Sequence, residues 1–334
     1  MEYKRIQFID IAKGITILII ALTHTFGNSG GFAMEVFSIF KVPTFFLLSG
    51  LFFKTYDSYK VFAKKKINQL VVPLIFAFLI FSLPWTLFME WYFDDSTFLR
   101  DVFLVHGTNK LNFGLAPGAW FVLCLLIIQI LYYIVHVISR ENSGIISVVV
   151  ISAGLLGYII NVYDISLPFW IDTAITSLPF FTLGVFLGRH GDIMRPNMTL
   201  KQWKLFLISF LILLLSIYKL GDGIIFYAIN RYNVSILLLF GGGVAGAFTI
   251  LLLSKMIGEF SPLSFVGRYS LIVLLTHQMY LFLLRNLAYQ MQLPQDSNLL
   301  SALLFVVVIL LEIPTIFFCK KYMSWAFGLR ELVK

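Results

Sequence analysis

The sequence predicts an all-α fold, a polytopic bundle of about ten transmembrane helices with the N- and C-termini in the cytoplasm. Three observations lead there. The chain of 334 residues is 59% hydrophobic and only 13% charged, whereas soluble domains carry about 25% charged residues. Mainly apolar stretches recur along it, each about 17 residues or longer, enough to cross a bilayer. The basic residues are biased to one side of those stretches.

The predicted spans are, in order, 7–27, 33–53, 70–90, 119–139, 144–161, 168–188, 203–220, 232–253, 265–285 and 298–319. With the first span starting inside, 18 of the 25 Lys and Arg fall on the cytoplasmic side. Five (Arg100, Lys110, Lys219, Arg231 and Arg285) fall outside, and Lys13 and Lys41 lie within spans. An even number of helices returns the chain to the side it started from. The longest break, 91–118, is too long for a simple connection and reads as a lid or interfacial helix.

The chain reads as one membrane domain, 1–334, with no convincing repeat and no cleavable leader, since the first apolar run continues into a full span. The net charge of +8 follows from the cytoplasmic bases and implies membrane lipid, not nucleic acid. Cys124 and Cys319 sit in apolar stretches and suggest packing, not a disulfide or metal site. No histidine pair or carboxylate cluster has metal-ligand spacing. Nothing in the sequence sets an oligomeric state.

The first span carries Asp10, Lys13 and His24. Such residues cost about 2.5–3.5 kcal/mol at a bilayer centre, so they face protein, water or substrate. Lys13 and His24 are eleven positions apart, which is about 20° from the same face and roughly 16 Å along the axis. A neutral His24 in the outer half of the membrane can take a proton from a hydroxyl; the alternative is a histidine bonded to a neighbouring helix for packing. Asp10 and Lys13, spaced i, i+3, either neutralise each other near the headgroups or leave Lys13 to meet an anionic ligand. His277 falls at a similar depth, so two histidines can share a cavity. His106, His136 and His190 suit solvated or interfacial positions.

Glu35, near the outer end of the second span, either orients His24 or faces water. Glu312, just before Pro314, is placed to hold backbone donors freed at a kink. Lys64-Lys65-Lys66 either signals topology, contacts anionic lipid or receives the phosphates of a nucleotide-like donor. Gly241-Gly242-Gly243 most simply permits close helix packing.

Taken in order, these motifs resemble the acyltransferase family 3 membrane proteins, in particular the stand-alone sugar O-acetyltransferases. Ile9-Asp10-Ile11-Ala12-Lys13-Gly14 followed by His24 is similar to that family's Arg/Lys–ten residues–His signature. Pro43-Thr44-Phe45-Phe46-Leu47-Leu48-Ser49-Gly50 resembles its Pro-x-Phe-Phe-x-x-Ser-Gly pattern, and a basic stretch then leads to Pro73. Ala119-Trp120-Phe121 and Gly267-Arg268-Tyr269-Ser270 with His277 match further marks, whereas residues 140–260 offer little. Lys41 stands where many such enzymes carry His, and Thr44 replaces a more usual apolar residue; these departures bear on the acceptor more than on the reaction.

The resemblance implies O-acyl transfer, most often of acetyl from acetyl-CoA as cosubstrate with no bound cofactor. The acceptor implied is a hydroxyl of a cell-surface glycan or lipid-linked sugar at the inner (cytoplasmic) membrane. His24, Asp10 and Lys13 are then the expected catalytic residues. Lys13, Ser49, Trp120, His277, Glu35 and Arg268 are the expected substrate-binding ones. Whether acyl passes directly or through an acyl-histidine stays open. The rival reading is a transporter or flippase of a glycan or other polar substrate, which also uses intramembrane ionisable residues, although no paired broken helices are evident.

Overall fold

A computed structural model describes residues 6–27, 31–56, 58–84, 118–189 and 191–333. Helix α1 (Gln7–Phe26) forms the first predicted span without a break. The second is divided into α2 (Gly31–Ser38) and α3 (Lys41–Gly50). Pro43 explains the division: it lacks an N–H and suits a first helical turn, so a new helix starts just before it. The Ser38 hydroxyl, bonded to the Glu35 carbonyl, closes the end of α2.

The third predicted span starts earlier than expected, at α4 (Tyr59–Lys66), whose N-cap Ser58 accepts from the Val61 N–H. The helix continues through wide π turns at Ile67–Val71 and Phe78–Ser82 on either side of α5 (Val72–Ala77). Pro73 cannot donate to the preceding turn, and a widened turn beside it absorbs the missing bond. The proposed lid at 91–118 lies, apart from Gly118, outside the described residues, as do His106 and His190.

Then follow α6 (Ala119–Ile138), α7 (Ser143–Val162), α8 (Ile171–Arg189) and α9 (Leu200–Leu220). A hairpin of β1 (Ile225–Phe226) and β2 (Arg231–Tyr232) precedes a π turn at Leu238–Gly242 and α10 (Gly243–Ile257). The expected span 265–285 resolves into a short amphipathic α11 (Ser261–Arg268) and a long α12 (Ser270–Gln290), before α13 (Asn298–Tyr322). Among the described residues, eight helices are long and apolar enough to cross a bilayer. This is a helical, multi-pass membrane bundle.

Burial sorts the helices. α1, α3, α8 and α10 bury Ile9, Ile17, Phe46, Leu47, Phe180, Phe181 and Leu251 in one core. α7, α9 and α13 expose apolar ridges such as Ile151, Leu155, Leu207, Leu211, Leu303 and Leu310, the composition of a lipid-facing surface. Small residues let backbones meet. A Cβ on Gly14 would lie 2.2 Å from the Leu263 carbonyl oxygen, and one on Gly267 would lie 1.7 Å from that of Asp10, so α1 and α11 cross at contact. In the glycine triplet, Gly242 faces Ile39 and Ser216, and Gly243 faces Phe180 and Pro43, whereas Gly241 faces open space.

Both cysteines are buried thiols. His136, expected to be solvated or interfacial, is instead buried at the end of α6, 3.4 Å from Glu141. Glu312 also departs from expectation, because α13 continues helically through Pro314 and the carboxyl group crosses to α12. Its two oxygens lie 2.8 and 2.9 Å from Thr276 Oγ1, which in turn lies 2.8 Å from the Ile272 carbonyl. A threonine has one proton to donate. Given to Ile272, it leaves Thr276 to accept from a neutral, protonated Glu312, which also avoids burying a charge in the bilayer. Glu312→Gln, a neutral donor of the same shape, is therefore expected to leave the melting temperature in detergent within a few degrees. Glu312→Ala, which removes the donor to Thr276 and leaves a void between α12 and α13, is expected to lower stability by about 1–3 kcal/mol.

Candidate active site

The ends of α1, α2, α3, α6 and α12 and the β-hairpin enclose a cavity of about 360 Å³, within the roughly 300–1,000 Å³ of small-molecule pockets. Its wall is mostly apolar (Ile20, Val42, Phe45, Phe121, Leu274) and carries His24, Lys41, Trp120 and Gln278. Ser38, Lys41, Ile225 and Phe226 also line a second, more open hollow with Thr23, Met34 and Glu35. The two form a vestibule and an inner chamber, on the side where α1 ends.

Three bonds place the hairpin that covers the chamber. Trp170 Nε1 donates to the Ala228 carbonyl at 2.5 Å, Thr173 Oγ1 to that of Tyr227 at 2.9 Å, and Thr176 Oγ1 to Asn230 Oδ1 at 2.9 Å. All three donors stand on α8 or the turn leading into it, so a buried helix fixes a loop.

His24, on the chamber wall, meets His277, which is buried behind it. Their rings are inclined by 9°, and His24 Nδ1 is 2.9 Å from His277 Nε2. The backbone decides which nitrogen holds each proton. His277 Nδ1 lies 2.6 Å from the Val273 carbonyl, an acceptor only, so Nδ1 carries the proton and Nε2 of the neutral ring accepts. His24 must then donate from Nδ1, which leaves its Nε2 unprotonated. The Gln278 amide also contacts His24 Nδ1, at 2.6 Å. Its oxygen and nitrogen exchange places on a half-turn, and the Nδ1–H form of His24 selects the oxygen. The result is an imidazole held by two neighbours at Nδ1, with the Gln278 amide also 3.5 Å from the unprotonated Nε2.

Arg285 supports this corner from α12, donating to the Thr25 carbonyl at 2.5 Å, to that of Gln295 at 2.9 Å, and to Ser301 Oγ at 3.3 Å. The residue after His24 is thereby tied to α12 and α13. Lys41 Nζ donates to Thr23 Oγ1 at 2.8 Å, while Lys13 Nζ stands 5.1 Å from the centre of the Phe52 ring. These two contacts run α1 antiparallel to α3 and place Lys13 on the α3 side of α1, about three turns from His24.

The other candidate residues are dispersed. Trp120 lines the chamber and Glu35, exposed, lines the vestibule; the position beside His24 where Glu35 was a candidate is taken by His277 and Gln278. The Ser49 hydroxyl turns back to the Phe45 carbonyl at 2.8 Å and is absent from the chamber wall. Asp10 is buried where α1 crosses α11, and Arg268 is exposed at the end of α11. The lysine triplet also divides. Lys64 is exposed and Lys65 half-buried, but Lys66 is buried among Phe53, Tyr56 and Phe62, whose ring centres are 5.3–5.7 Å from its ammonium.

Gln278 and the hairpin residues Ile225–Ala228 were not legible as site residues. A glutamine one position after a candidate histidine has no distinguishing pattern, and the hairpin enters only through tertiary contact.

No curated protein and no solved structure matches the chain. Residues 6–317 match the model of the acyltransferase domain of family 3. That match favours an enzyme over the transporter reading. The chain belongs to the acyltransferase family 3, and it is a membrane acyltransferase.

Proposed function

We propose that the protein transfers an acetyl or similar acyl group from acyl-CoA to a hydroxyl of a glycan or lipid-linked sugar, with His24 as general base. The observation that carries this reading is the His24–His277 pair, because its hydrogen-bond order leaves His24 Nε2 unprotonated on the wall of a ligand-sized chamber. His24 Nε2 takes the proton of the acceptor hydroxyl while the oxygen attacks the thioester carbonyl carbon. The carbon–sulfur bond then breaks, and the imidazolium returns its proton to the sulfur of CoA. His277 Nε2 accepts from His24 Nδ1–H throughout and stabilises the imidazolium, the orienting task that a carboxylate performs in hydrolase triads.

The acceptor enters through the vestibule and the donor from the opposite, cytoplasmic face of an inner membrane. The pantetheine arm is long enough to bring a thioester from that face to His24. Lys13, Arg268, Lys64 and Lys65 are the cations offered to the CoA phosphates, whereas Lys66 is enclosed by its rings. Lys64→Ala combined with Lys65→Ala is expected to raise KM for acetyl-CoA several-fold with kcat little changed, the pattern of lost uniform binding. Lys66→Ala is expected instead to lower thermal stability, since it empties an aromatic cage.

The test is release of CoA thiol by purified protein in lipid nanodiscs, with the carbohydrate product analysed by mass. Thiol release matched by a mass gain of one acetyl on the acceptor supports the reading. Vesicle uptake of an unmodified glycan, without thiol release, goes against it.

A further inference from the structure

Lys41 is hard to explain as a structural residue. It is the first residue of α3, whose N-cap, Phe40, supplies no side-chain cap. A cation there opposes the helix dipole, which favours anions at that end. The surrounding wall is apolar, and Lys41's hydrogen bond goes to the neutral Thr23 hydroxyl at 2.8 Å. Among the described residues no carboxylate pairs with it; Glu35 shares the vestibule but is exposed. Lys41 is half-buried, and an ammonium partly withdrawn from water without an anion costs stability. Such violations of local preference mark functional positions.

Its place is informative. Lys41 belongs to the walls of both the vestibule and the inner chamber, so it stands at the throat between them. The start of α6 (Gly118 and Trp120) lines the same chamber, so a second helix N-terminus adds positive potential. Lys41 is thus on the acceptor's route, while Lys13 is near the other end of α1.

From this we infer that Lys41 forms an anion subsite that selects acceptors carrying a negative group, a carboxylate or a phosphate, beside the hydroxyl to be acylated. The inference rests on the acyltransferase reading for the name "acceptor", but the subsite can be tested without transfer. A charge-assisted hydrogen bond in a desolvated site is worth roughly tenfold or more in affinity.

The probes are methyl glucoside, methyl glucuronide and glucose 1-phosphate, titrated by calorimetry into the full chain in nanodiscs with no acyl-CoA present. The native protein is expected to bind at least one of the two anionic sugars about tenfold more tightly than the neutral one. The better of the two identifies carboxylate or phosphate as the group read. Lys41→Gln is expected to remove the preference and Lys41→Arg to keep it. Equal binding of all three probes by the native chain overturns the proposal, as does a preference that survives in Lys41→Gln. If either lysine variant is unstable, the native chain alone still decides, because the anionic preference is then measured with and without competing acetate and inorganic phosphate. Acetyl transfer to the same sugars is run in parallel. Loss of KM discrimination in Lys41→Gln follows from the subsite, whereas an equal fall in kcat for every acceptor assigns Lys41 to the reaction's oxyanion and overturns it. Anion-selective binding without any transfer leaves the subsite standing and counts against the acyltransferase chemistry instead.

Discussion

His24→Ala is expected to insert and fold normally and to lose about 10²–10⁴-fold in acyl transfer, the range supplied by a positioned general base. Normal folding is expected because the ring lies on the wall of a chamber, so its removal enlarges a space that already exists. The large kinetic effect follows from the proton order. Val273 fixes His277 with its proton on Nδ1, His277 in turn fixes His24, and no other described residue on the chamber wall is an imidazole or carboxylate. The loss should fall on kcat more than on KM, because the interaction strengthens only as the hydroxyl loses its proton. The measurement is steady-state turnover by purified protein at matched membrane levels.

Gly267→Ala is expected to have the largest effect on folding. A methyl group there would lie 1.7 Å from the Asp10 carbonyl oxygen and 2.5 Å from the Gly14 nitrogen. Both are backbone atoms of α1, so no side chain can turn aside, and the α1–α11 crossing must open. Overpacking in cores costs typically 1–3 kcal/mol and sometimes more, and a clash of two backbones belongs at the upper end or beyond. Little or no monodisperse protein should survive detergent extraction. Gly241→Ala is the control: its new methyl meets nothing within 4 Å, and its stability should stay within about 0.5 kcal/mol. A Gly267→Ala chain as stable as the native one would mean that α1 and α11 do not cross at contact.

Much of this arrangement is legible in the residues themselves. The charged first helix stood out because bilayers exclude such residues, and depth alone put His24 and His277 at one level. The breaks were harder. Hydropathy runs smoothly across Ile39–Phe40 and across Tyr269, so 33–53 and 265–285 read as single spans; Pro43 carried the signal for the first break, and only tertiary packing reveals the second. Glu312 was placed by its neighbour Pro314, but its partner Thr276 lies on another helix and is invisible to local pattern. Gln278 and Arg285 escaped for the same reason. A glutamine and an outer-end arginine acquire meaning only through the atoms they reach, His24 Nδ1 and the Thr25 carbonyl. The lysine triplet looked uniform, yet helical geometry turns consecutive residues by about 100°, so one of three can be buried while another is exposed.

The measurement that tests the central claim most directly is transfer of radiolabelled acetyl from acetyl-CoA to a glycan acceptor. It compares the native chain with His24→Ala, His277→Ala and the double variant at equal membrane abundance. If the two histidines act as one unit, label appears with the native chain and is lost with His24→Ala. His277→Ala then costs substantially by itself but adds almost nothing once His24 is gone. Full transfer by the His24→Ala chain, or independent additive losses for the two histidines, would contradict the account.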